Sequence, residues 1–356
     1  MNDLVLAIDG GNSKTDVALV DHSGRPVAHV RGPGSSPHSL GIDGCARLLD
    51  DLVGKAAAQA GLDGPRHVAE HAGVYLAGAD LPAETALLTD AIETKQWARR
   101  LVVDNDTFAL LRAGTDDHDA VAVVCGAGIN CVGVASDGRH ARFPSLGRIS
   151  GDWGGGVQLG DEALWWAARA ADGRARPTVL QDLIVAHFQR SSLQEVIEDL
   201  HFGRVAHAAL GGLAPAVLRA ASQAQDPTAM AIVRRQAEEV TSLVEAALKR
   251  LDLVDRHATV VLGGGVLTSG DPFLMGEISA GLRATAPRAE WRVTAVAPVV
   301  GAALLGLDQA GHEPGAEARL RASLLVDSAG RRPAEVAQAR PDRGLSAPSV
   351  TREETP

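Results

Sequence analysis

Two glycine-rich turns, more than a hundred residues apart, are the features of this sequence best suited to binding a ligand. Each follows an apolar β-type stretch and leads into a second one, so each is predicted to be a β-hairpin. Glycine lets the backbone approach a phosphate closely and point its N–H groups at the anion. Walker and dinucleotide-binding loops are excluded, because they run from a strand into a helix. The turns read Ile8-Asp9-Gly10-Gly11-Asn12-Ser13-Lys14-Thr15 and Val124-Cys125-Gly126-Ala127-Gly128-Ile129-Asn130-Cys131.

One such hairpin in each half of the chain predicts a nucleotide held between two similar domains. Asp9 ends the first strand and offers hard oxygen ligands that could orient Mg²⁺ against the phosphates, although it could instead cap its own turn. Lys14 either meets a phosphate as a point charge or is a solvated turn lysine. A third glycine run after a buried strand either supports the base and ribose or only allows close packing. The predicted nucleotide contacts are Gly10, Gly11, Asn12, Ser13, Lys14, Thr15, Gly126, Ala127, Gly128, Gly263, Gly264 and Gly265.

Composition limits the class of protein. A chain of 356 residues is long enough for two domains with separate cores. A net charge of −10 argues against nucleic acid as the main partner. Cys45, Cys125 and Cys131 have neither CxxC nor zinc spacing, which predicts reduced thiols in a cytoplasmic protein. We expect no membrane association, because the start of the chain does not resemble a signal peptide and no window has the run of about 18 apolar residues that a membrane span needs.

The order of predicted elements repeats along the chain. In each half a strand, a glycine turn, a strand, a short turn and a third strand follow one another, which is a weak internal repeat. We predict an N-terminal domain at residues 1–114, joined by a returning helix at 299–310, and a C-terminal domain at 115–298, with the hinge near 114–119. Residues 311–356 are predicted to be a tail, largely disordered beyond residue 330.

Four further motifs follow the first turn in a fixed order: Leu76-Ala77-Gly78-Ala79-Asp80, Asp104-Asn105-Asp106, Gly151-Asp152-Trp153-Gly154-Gly155-Gly156 and Gly263-Gly264-Gly265-Val266. With the two turns, they resemble the actin-like ATPase and sugar kinase superfamily, and within it the BadF/BadG/BcrA/BcrD ATPase family and its N-acetylglucosamine kinase branch. The resemblance covers about residues 4–308. It implies an α/β fold of two actin-like (ribonuclease H-like) domains with a nucleotide cleft between them. It also implies ATP and Mg²⁺ as cofactors, a small-molecule sugar as substrate and a homodimer.

Asp106 is predicted to be the general base. Phosphoryl transfer to a sugar hydroxyl needs a carboxylate within hydrogen-bond reach of that hydroxyl. Asp106 follows a buried strand, at the edge where an open α/β sheet places its ligands. The family pattern implies that Asn105 and Asp106 contact the sugar, and Asp104 is the alternative base. Any one of the three could cap the next helix, but not all of them.

The remaining sugar contacts are predicted at Ser36, Asp80, Asn130 and Asp152. A carboxylate can accept two adjacent sugar hydroxyls, which favours Asp80 and Asp152. Asp80 could instead cap the helix that begins near Leu81. At Ser36 the resemblance leads us to expect asparagine in many sugar-binding relatives, and serine has a shorter reach.

The predicted activity is ATP-dependent phosphorylation of an amino sugar, N-acetylglucosamine, to its 6-phosphate. Glucosamine, a muramic-type sugar and glucose stay open as substrates. An ATPase switch that acts on a partner protein is the first alternative. Family members that activate reductases are expected to bind an iron–sulfur cluster through cysteines, whereas Cys125 and Cys131 flank the second turn. The other alternative, a non-catalytic sugar sensor, would not need two phosphate hairpins and Asp106.

Overall fold

The computed structural model describes residues 3–324, and its first half is built on a five-stranded sheet. The strands lie in the order β3-β2-β1-β4-β5, with β1 antiparallel to β2 and parallel to β4. The central strands are apolar and buried, as strands covered on both faces must be. The five strands of this sheet are β1 (Leu4–Gly10), β2 (Lys14–Asp21), β3 (Pro26–Pro33), β4 (Ala69–Leu76) and β5 (Ala98–Asn105).

A second five-stranded sheet repeats this topology. Its order is β10-β9-β6-β7-β8, so β6 takes the place of β1, antiparallel to β7 and parallel to β9. The internal repeat predicted from the sequence is therefore a repeat of sheet topology. The strands are β6 (Ala120–Cys125), β7 (Ile129–Val134), β8 (His140–Arg142), β9 (Ala258–Gly263) and β10 (Ala289–Val293).

Helices cover both sheets. The longest of the described helices, α8, begins where Asp226 accepts hydrogen bonds from the backbone N–H groups of Thr228 and Ala229 and caps the helix.

Within residues 3–324, no helix combines the length and apolar character that a membrane span requires. The helices are α1 (Pro37–Gln59), α2 (Pro82–Glu93), α3 (Asp106–Gly114), α4 (Gly156–Ala171), α5 (Leu180–Phe188), α6 (Leu193–His201), α7 (Ala214–Ser222), α8 (Pro227–Arg250), α9 (Gly265–Thr268), α10 (Pro272–Thr285), α11 (Pro298–Ala310) and α12 (Ala316–Ser323).

Helices α3 and α11 pack together between the two sheets. Their cluster takes apolar side chains from β1, such as Val5, and from β6, such as Ala122. A Cβ on Gly301 would overlap the carbonyl of Ala109, so glycine is what lets α11 approach α3 this closely. Helix α11 also lies on β1 and β4. This packing supports the proposed return of the chain to its N-terminal domain.

Helix α12, the last helix within residues 3–324, is absent from the sequence-based prediction, in which a tail begins at residue 311. Ala316 and Leu320 of this helix are fully buried. Arg321 donates hydrogen bonds to the carbonyls of Ala113 (2.6 Å) and Arg112 (3.2 Å) at the end of α3. Helix α12 therefore covers the start of the proposed hinge. The predicted disorder beyond residue 330 falls outside the described residues.

Candidate active site

The first glycine turn is a β-hairpin, as predicted. Strand β1 pairs with β2 as far as Gly10 opposite Thr15. The Gly11 N–H donates to the carbonyl of Lys14 at 2.8 Å and closes the turn. Asn12, Ser13 and Lys14 are exposed, whereas the buried Thr15 hydroxyl donates to the Pro33 carbonyl at 2.8 Å. The tip of the turn is therefore accessible to a ligand, whereas the Thr15 hydroxyl is already hydrogen-bonded to β3.

The second glycine turn is also a hairpin, and it receives the start of α4. The N–H of Gly156 donates to the Gly126 carbonyl at 2.7 Å, and that of Val157 to the Ala127 carbonyl at 3.0 Å. Gly155 has a φ of 92°, and a Cβ there would overlap the backbone of Gly128. A Cβ on Gly126 or Gly128 would meet nothing within 4 Å, so the outer side of this turn is open.

A cavity of about 410 Å³ joins the two turns. Ser13 of the first turn lines it together with Gly126 and Ala127 of the second, and Gly265 and Val266 of α9 form a further wall. Its size lies within the range of small-molecule sites, and small apolar residues dominate its lining. The lining is completed by Gly156, Val157, Ala208, Gly211, Gly212, Ala214, Pro215, Leu218 and Ser269.

The three glycines after β9 have different surroundings. A Cβ on Gly263 would overlap Leu110, and one on Gly264, where φ is 85°, would overlap the backbone of Cys125. Gly263 and Gly264 therefore allow close packing against α3 and the second turn, which was the structural alternative for this motif. Gly265 has open space beyond its Cα and lines the cavity.

Asp9 and Asp106 bring two carboxyl groups together. Asp9 is 7% exposed, and burial, followed by the negative charges of Asp106 and Asp16, raises its pKa well above the ordinary value. Burial likewise raises the pKa of Asp106 to about 6. The buried Asp9 and the half-buried Asp106 repel each other and supply the hard oxygen donors that Mg²⁺ prefers. The residues present therefore fit a divalent cation, with Asp9 as the proposed ligand.

Three predicted sugar contacts form one hydrogen-bonded network, which we call the Asp80 network. Asp80 Oδ1 accepts from Asn105 Nδ2 at 2.7 Å and from Asn130 Nδ2 at 3.0 Å. Asn130 Nδ2 also lies 3.2 Å from Asn105 Oδ1. Burial, followed by the charges of Asp106 and Glu84, raises the pKa of Asp80 to about 7. Asn105 of the first sheet and Asn130 of the second thus meet at Asp80. Asn105 directly precedes Asp106 in the chain, so the network lies beside the proposed base.

The helix caps are assigned by the structure. Asn105 Oδ1 accepts from the Thr107 N–H at 3.0 Å and caps α3. Asp104 instead forms an ion pair of 2.7 Å with Arg142. Asp106 is therefore the first residue of α3 rather than its N-cap, and the backbone N–H groups of Asp106 and Thr107 donate to its carboxyl group.

The capping role considered for Asp80 is wrong. Helix α2 begins at Pro82, and the Glu84 carboxylate accepts from the backbone N–H groups of Leu81 (2.9 Å) and Asp80 (3.1 Å). Glu84 therefore reaches back to close this helix end, as the acidic residue of a capping box does. The Asp80 carboxyl group remains available to the Asp80 network.

Ser36 lies where β3 leads into α1. Its side chain is 2% exposed, and within residues 3–324 its hydroxyl and that of Ser35 have no hydrogen-bond partner. A buried hydroxyl without a partner costs about 1–3 kcal/mol. A ligand that bonds to it would recover this energy, which supports the proposed sugar contact at Ser36.

Asp152 is held within its own loop. Its carboxylate accepts from the Gly147 N–H at 2.8 Å and from the Ser150 hydroxyl. These hydrogen bonds stabilise the loop between β8 and α4 and do not join Asp152 to the Asp80 network. A sugar contact at Asp152 stays a prediction.

Gln236 is a residue that sequence reasoning missed. It lies fully buried in the middle of α8, and its Oε1 accepts from the Gly155 N–H at 2.8 Å. Its Nε2 has no partner among the described residues. Gln236 thereby ties the glycine loop to α8. The sequence feature that could have identified Gln236 is its position as a glutamine among the apolar residues that line one side of α8.

The cysteines do not have the environment of metal ligands. All three are buried and free. Burial raises the pKa of Cys125 to about 12 and that of Cys45 to about 11, and it also raises the pKa of Cys131. Metals and electrophiles react with the thiolate, and burial disfavours that form here.

The chain is similar to known proteins over most of its length. The model of the BadF/BadG/BcrA/BcrD ATPase family matches residues 6–306. The chain is 25% identical to an N-acetylmuramic acid/N-acetylglucosamine kinase of Clostridium acetobutylicum over 74% of its own length and 86% of that protein. It is 24% identical to an N-acetyl-D-glucosamine kinase of Dictyostelium discoideum over 86% of its own length and 98% of that protein.

Among solved structures, the chain resembles a Chromobacterium violaceum protein provisionally named an N-acetylglucosamine kinase. The TM-score is 0.69 at 26% identity, over 85% of this chain and 99% of the other. The predicted α/β fold of the actin-like class is confirmed by this similarity and by the two matching sheets. The match to the family model spans nearly all of residues 3–324, and the chain belongs to the BadF/BadG/BcrA/BcrD ATPase family.

Proposed function

We propose that this protein is an ATP-dependent sugar kinase that phosphorylates an amino sugar, N-acetylglucosamine, on its 6-hydroxyl. The observation that carries the proposal is the position of Asp106. It is the first residue of α3 rather than its N-cap, has a pKa raised to about 6 by burial, and follows Asn105 of the Asp80 network. The names of the two relatives and of the solved neighbour favour an N-acetylated amino sugar as the acceptor.

In the proposed reaction the two glycine turns hold the ATP phosphates, and the cavity of about 410 Å³ takes the base and ribose. Mg²⁺ bound at Asp9 would neutralise charge on the phosphates. The Asp106 carboxylate accepts the proton of the sugar hydroxyl. The hydroxyl oxygen bonds to the γ-phosphorus as the bond to the β-phosphate oxygen breaks, and ADP leaves. Ser36 and the Asp80 network hold the remaining hydroxyls.

Closure of the cleft is part of this proposal. The Asp80 network links side chains of the first sheet to Asn130 of the second, so it needs the two sheets close together. A closed site excludes water and brings donor and acceptor into line. We assign the moving bodies to residues 1–114 with 299–310 and to residues 115–298, hinged near 114–119.

The protein is further proposed to act in the cytoplasm as a homodimer, with no nucleic-acid or membrane partner. The three buried free thiols and the net charge of −10 support the compartment and the absence of nucleic acid. Light scattering on the purified chain tests the dimer, and a monomer at micromolar concentration would contradict it.

A sugar panel tests the function. ADP release and product mass are measured with N-acetylglucosamine, glucosamine, N-acetylmuramic acid, glucose and no sugar. We expect sugar-dependent turnover and one added phosphate on an amino sugar. Equal ATP turnover with and without sugars would contradict the kinase and favour an ATPase switch. Binding of sugar without turnover would favour a sensor.

A further inference from the structure

A second cavity, of about 630 Å³, lies between α2 and the end of β8, and we call it the α2 cavity. It begins at Asp80, the acceptor of the Asp80 network, and therefore lies one hydrogen bond from Asn105. Its volume is within the range that accommodates a drug-sized ligand. It is thus an extension of the proposed sugar site rather than a separate one. Residues of α2 and of the segment before it line one side, and Arg142, Phe143 and Pro144 line the other.

The walls of the α2 cavity combine apolar surface with hydroxyl groups. Leu81, Pro82 and Phe143 supply flat apolar surface. The Thr85 hydroxyl has no partner within the described part of the chain, and the Thr89 hydroxyl donates to the Thr85 carbonyl at 2.7 Å, so it can still accept a hydrogen bond. A pyranose ring has the matching character, because its C–H faces are apolar and its rim carries hydroxyls.

The charged side chains that line the α2 cavity disfavour the binding of an anion. Asp80 and Asp90 both line it. Arg142, its lining cation, is already engaged: it pairs with Asp104 at 2.7 Å, donates to the Ala79 carbonyl at 3.3 Å and lies over the Phe108 ring. A carboxylate in this cavity would therefore face two acidic side chains and an arginine whose charge is already neutralised.

We propose that the α2 cavity binds a neutral second pyranose ring on the acceptor, so that the protein phosphorylates an amino-sugar disaccharide. This inference rests on the proposed kinase function. Asp80 holds the ring whose hydroxyl faces Asp106, and the second ring extends along α2. The same charges make an acceptor with an acidic ether substituent, such as N-acetylmuramic acid, a poor substrate.

The test compares three acceptors: N-acetylglucosamine, its β-1,4-linked dimer and N-acetylmuramic acid. We expect kcat/KM for the dimer to equal or exceed that for the monosaccharide, and kcat/KM for N-acetylmuramic acid to be at least tenfold lower. Phosphorylation of the monosaccharide but not the dimer would overturn the inference and leave the kinase intact. Failure of all three acceptors would overturn the kinase proposal itself.

A cavity-filling variant locates the second ring. Ala86→Trp, on the exposed part of α2, is expected to lower kcat/KM for the dimer at least tenfold and to leave that for the monosaccharide within twofold. Leu87→Trp is the matched control, because Leu87 is the next residue of the same helix, is 56% exposed and does not line the cavity. Equal effects of Ala86→Trp on both acceptors would overturn the assignment.

A charge variant tests the exclusion of anions without filling the cavity. Asp90→Lys is expected to raise kcat/KM for N-acetylmuramic acid several-fold relative to N-acetylglucosamine. An unchanged ratio would show that the α2 cavity does not receive the substituent. Because Asp90 is exposed on α2, this variant does not depend on repacking of the core.

Discussion

The side-chain amide of Asn130 bridges from the second sheet to Asp80 of the first, with 3.0 Å between Asn130 Nδ2 and Asp80 Oδ1. These residues lie 50 positions apart in the chain: Asn130 is on β7 of the second sheet, and Asp80 lies in the loop that follows β4 of the first. Their contact closes the cleft beside Asp106. In the proposed kinase, this contact therefore ties the acceptor site to the relative position of the two sheets.

Replacing the proposed base should remove catalysis and spare ATP binding. We expect Asp106→Asn to lower kcat at least a hundredfold, as loss of a general base does, and to change ATP affinity only a few-fold. Product formation and nucleotide titration measure the two effects. Asp43→Asn, at an exposed position on α1, is the control. Retention of more than about a tenth of the activity, a loss of only about 1.4 kcal/mol, would assign the base to another group.

The pH profile should report the raised pKa of Asp106. The base acts as a carboxylate, so kcat/KM is expected to fall about tenfold per pH unit below its pKa of about 6. An ordinary aspartate would keep its activity down to about pH 4. Initial rates from pH 4.5 to 8, with unfolding followed at each pH, provide the measurement. A flat profile down to pH 4.5 in folded protein would contradict the assignment.

Asp80→Asn should stabilise the fold at pH 8 while weakening the sugar site. The pKa of Asp80 is about 7 in the folded chain and near 4 when unfolded, so ionisation costs folding energy as pH rises from about 4 to 7. Asparagine removes that cost, and we expect a gain of roughly 1–3 kcal/mol at pH 8 and little at pH 4. Denaturant unfolding at both pH values measures it. A loss of stability at pH 8 would show that neighbouring groups stabilise the negative charge of Asp80 in the folded protein.

The same Asp80→Asn variant has a functional readout. The amide presents only one acceptor oxygen to the hydroxyls that Asp80 is proposed to bind, so we expect KM for the sugar to rise at least tenfold. KM for ATP should stay within a few-fold. Unchanged sugar kinetics would remove Asp80 from the binding site.

Gln236→Leu should impair turnover more than folding. It leaves the Gly155 N–H without its acceptor, at a cost of about 1–3 kcal/mol, and frees the glycine loop from α8. We expect kcat to fall at least tenfold, with a smaller change in KM for ATP. Gln194→Leu, on the exposed face of α6, is the control. A drop in melting temperature with normal kcat would show that Gln236 only supports the fold.

Arg321→Ala should loosen α12 from the end of α3. The arginine donates to the carbonyls of Ala113 and Arg112 and pairs with Asp116 and Glu317. Removing it leaves the carbonyls unpaired, and we expect a loss of about 1–3 kcal/mol in the free energy of unfolding. Arg283→Ala, at an exposed position of α10, is the control. Equal stability of the two variants would mean that α12 does not clamp this region.

Local patterns in the sequence predicted the sheets and the glycine turns. The apolar stretches that end at Ile8 and Val124 pair with the strands that follow because a hairpin joins neighbours in the chain. The position of Asp106 after a buried strand was equally local. These features need no knowledge of distant residues, so a single sequence was sufficient for them.

Contacts between distant residues required the tertiary structure. The sequence offered Asp104, Asn105 and Asp106 as equivalent caps, and only the pairing of Asp104 with Arg142 and of Asn105 with Asp80 separated them. Helix α12 and the link from Gln236 to Gly155 were missed for the same reason. A hydrogen bond depends on the positions of two groups in space. A pattern along the chain does not identify which residue, distant in sequence, is the partner.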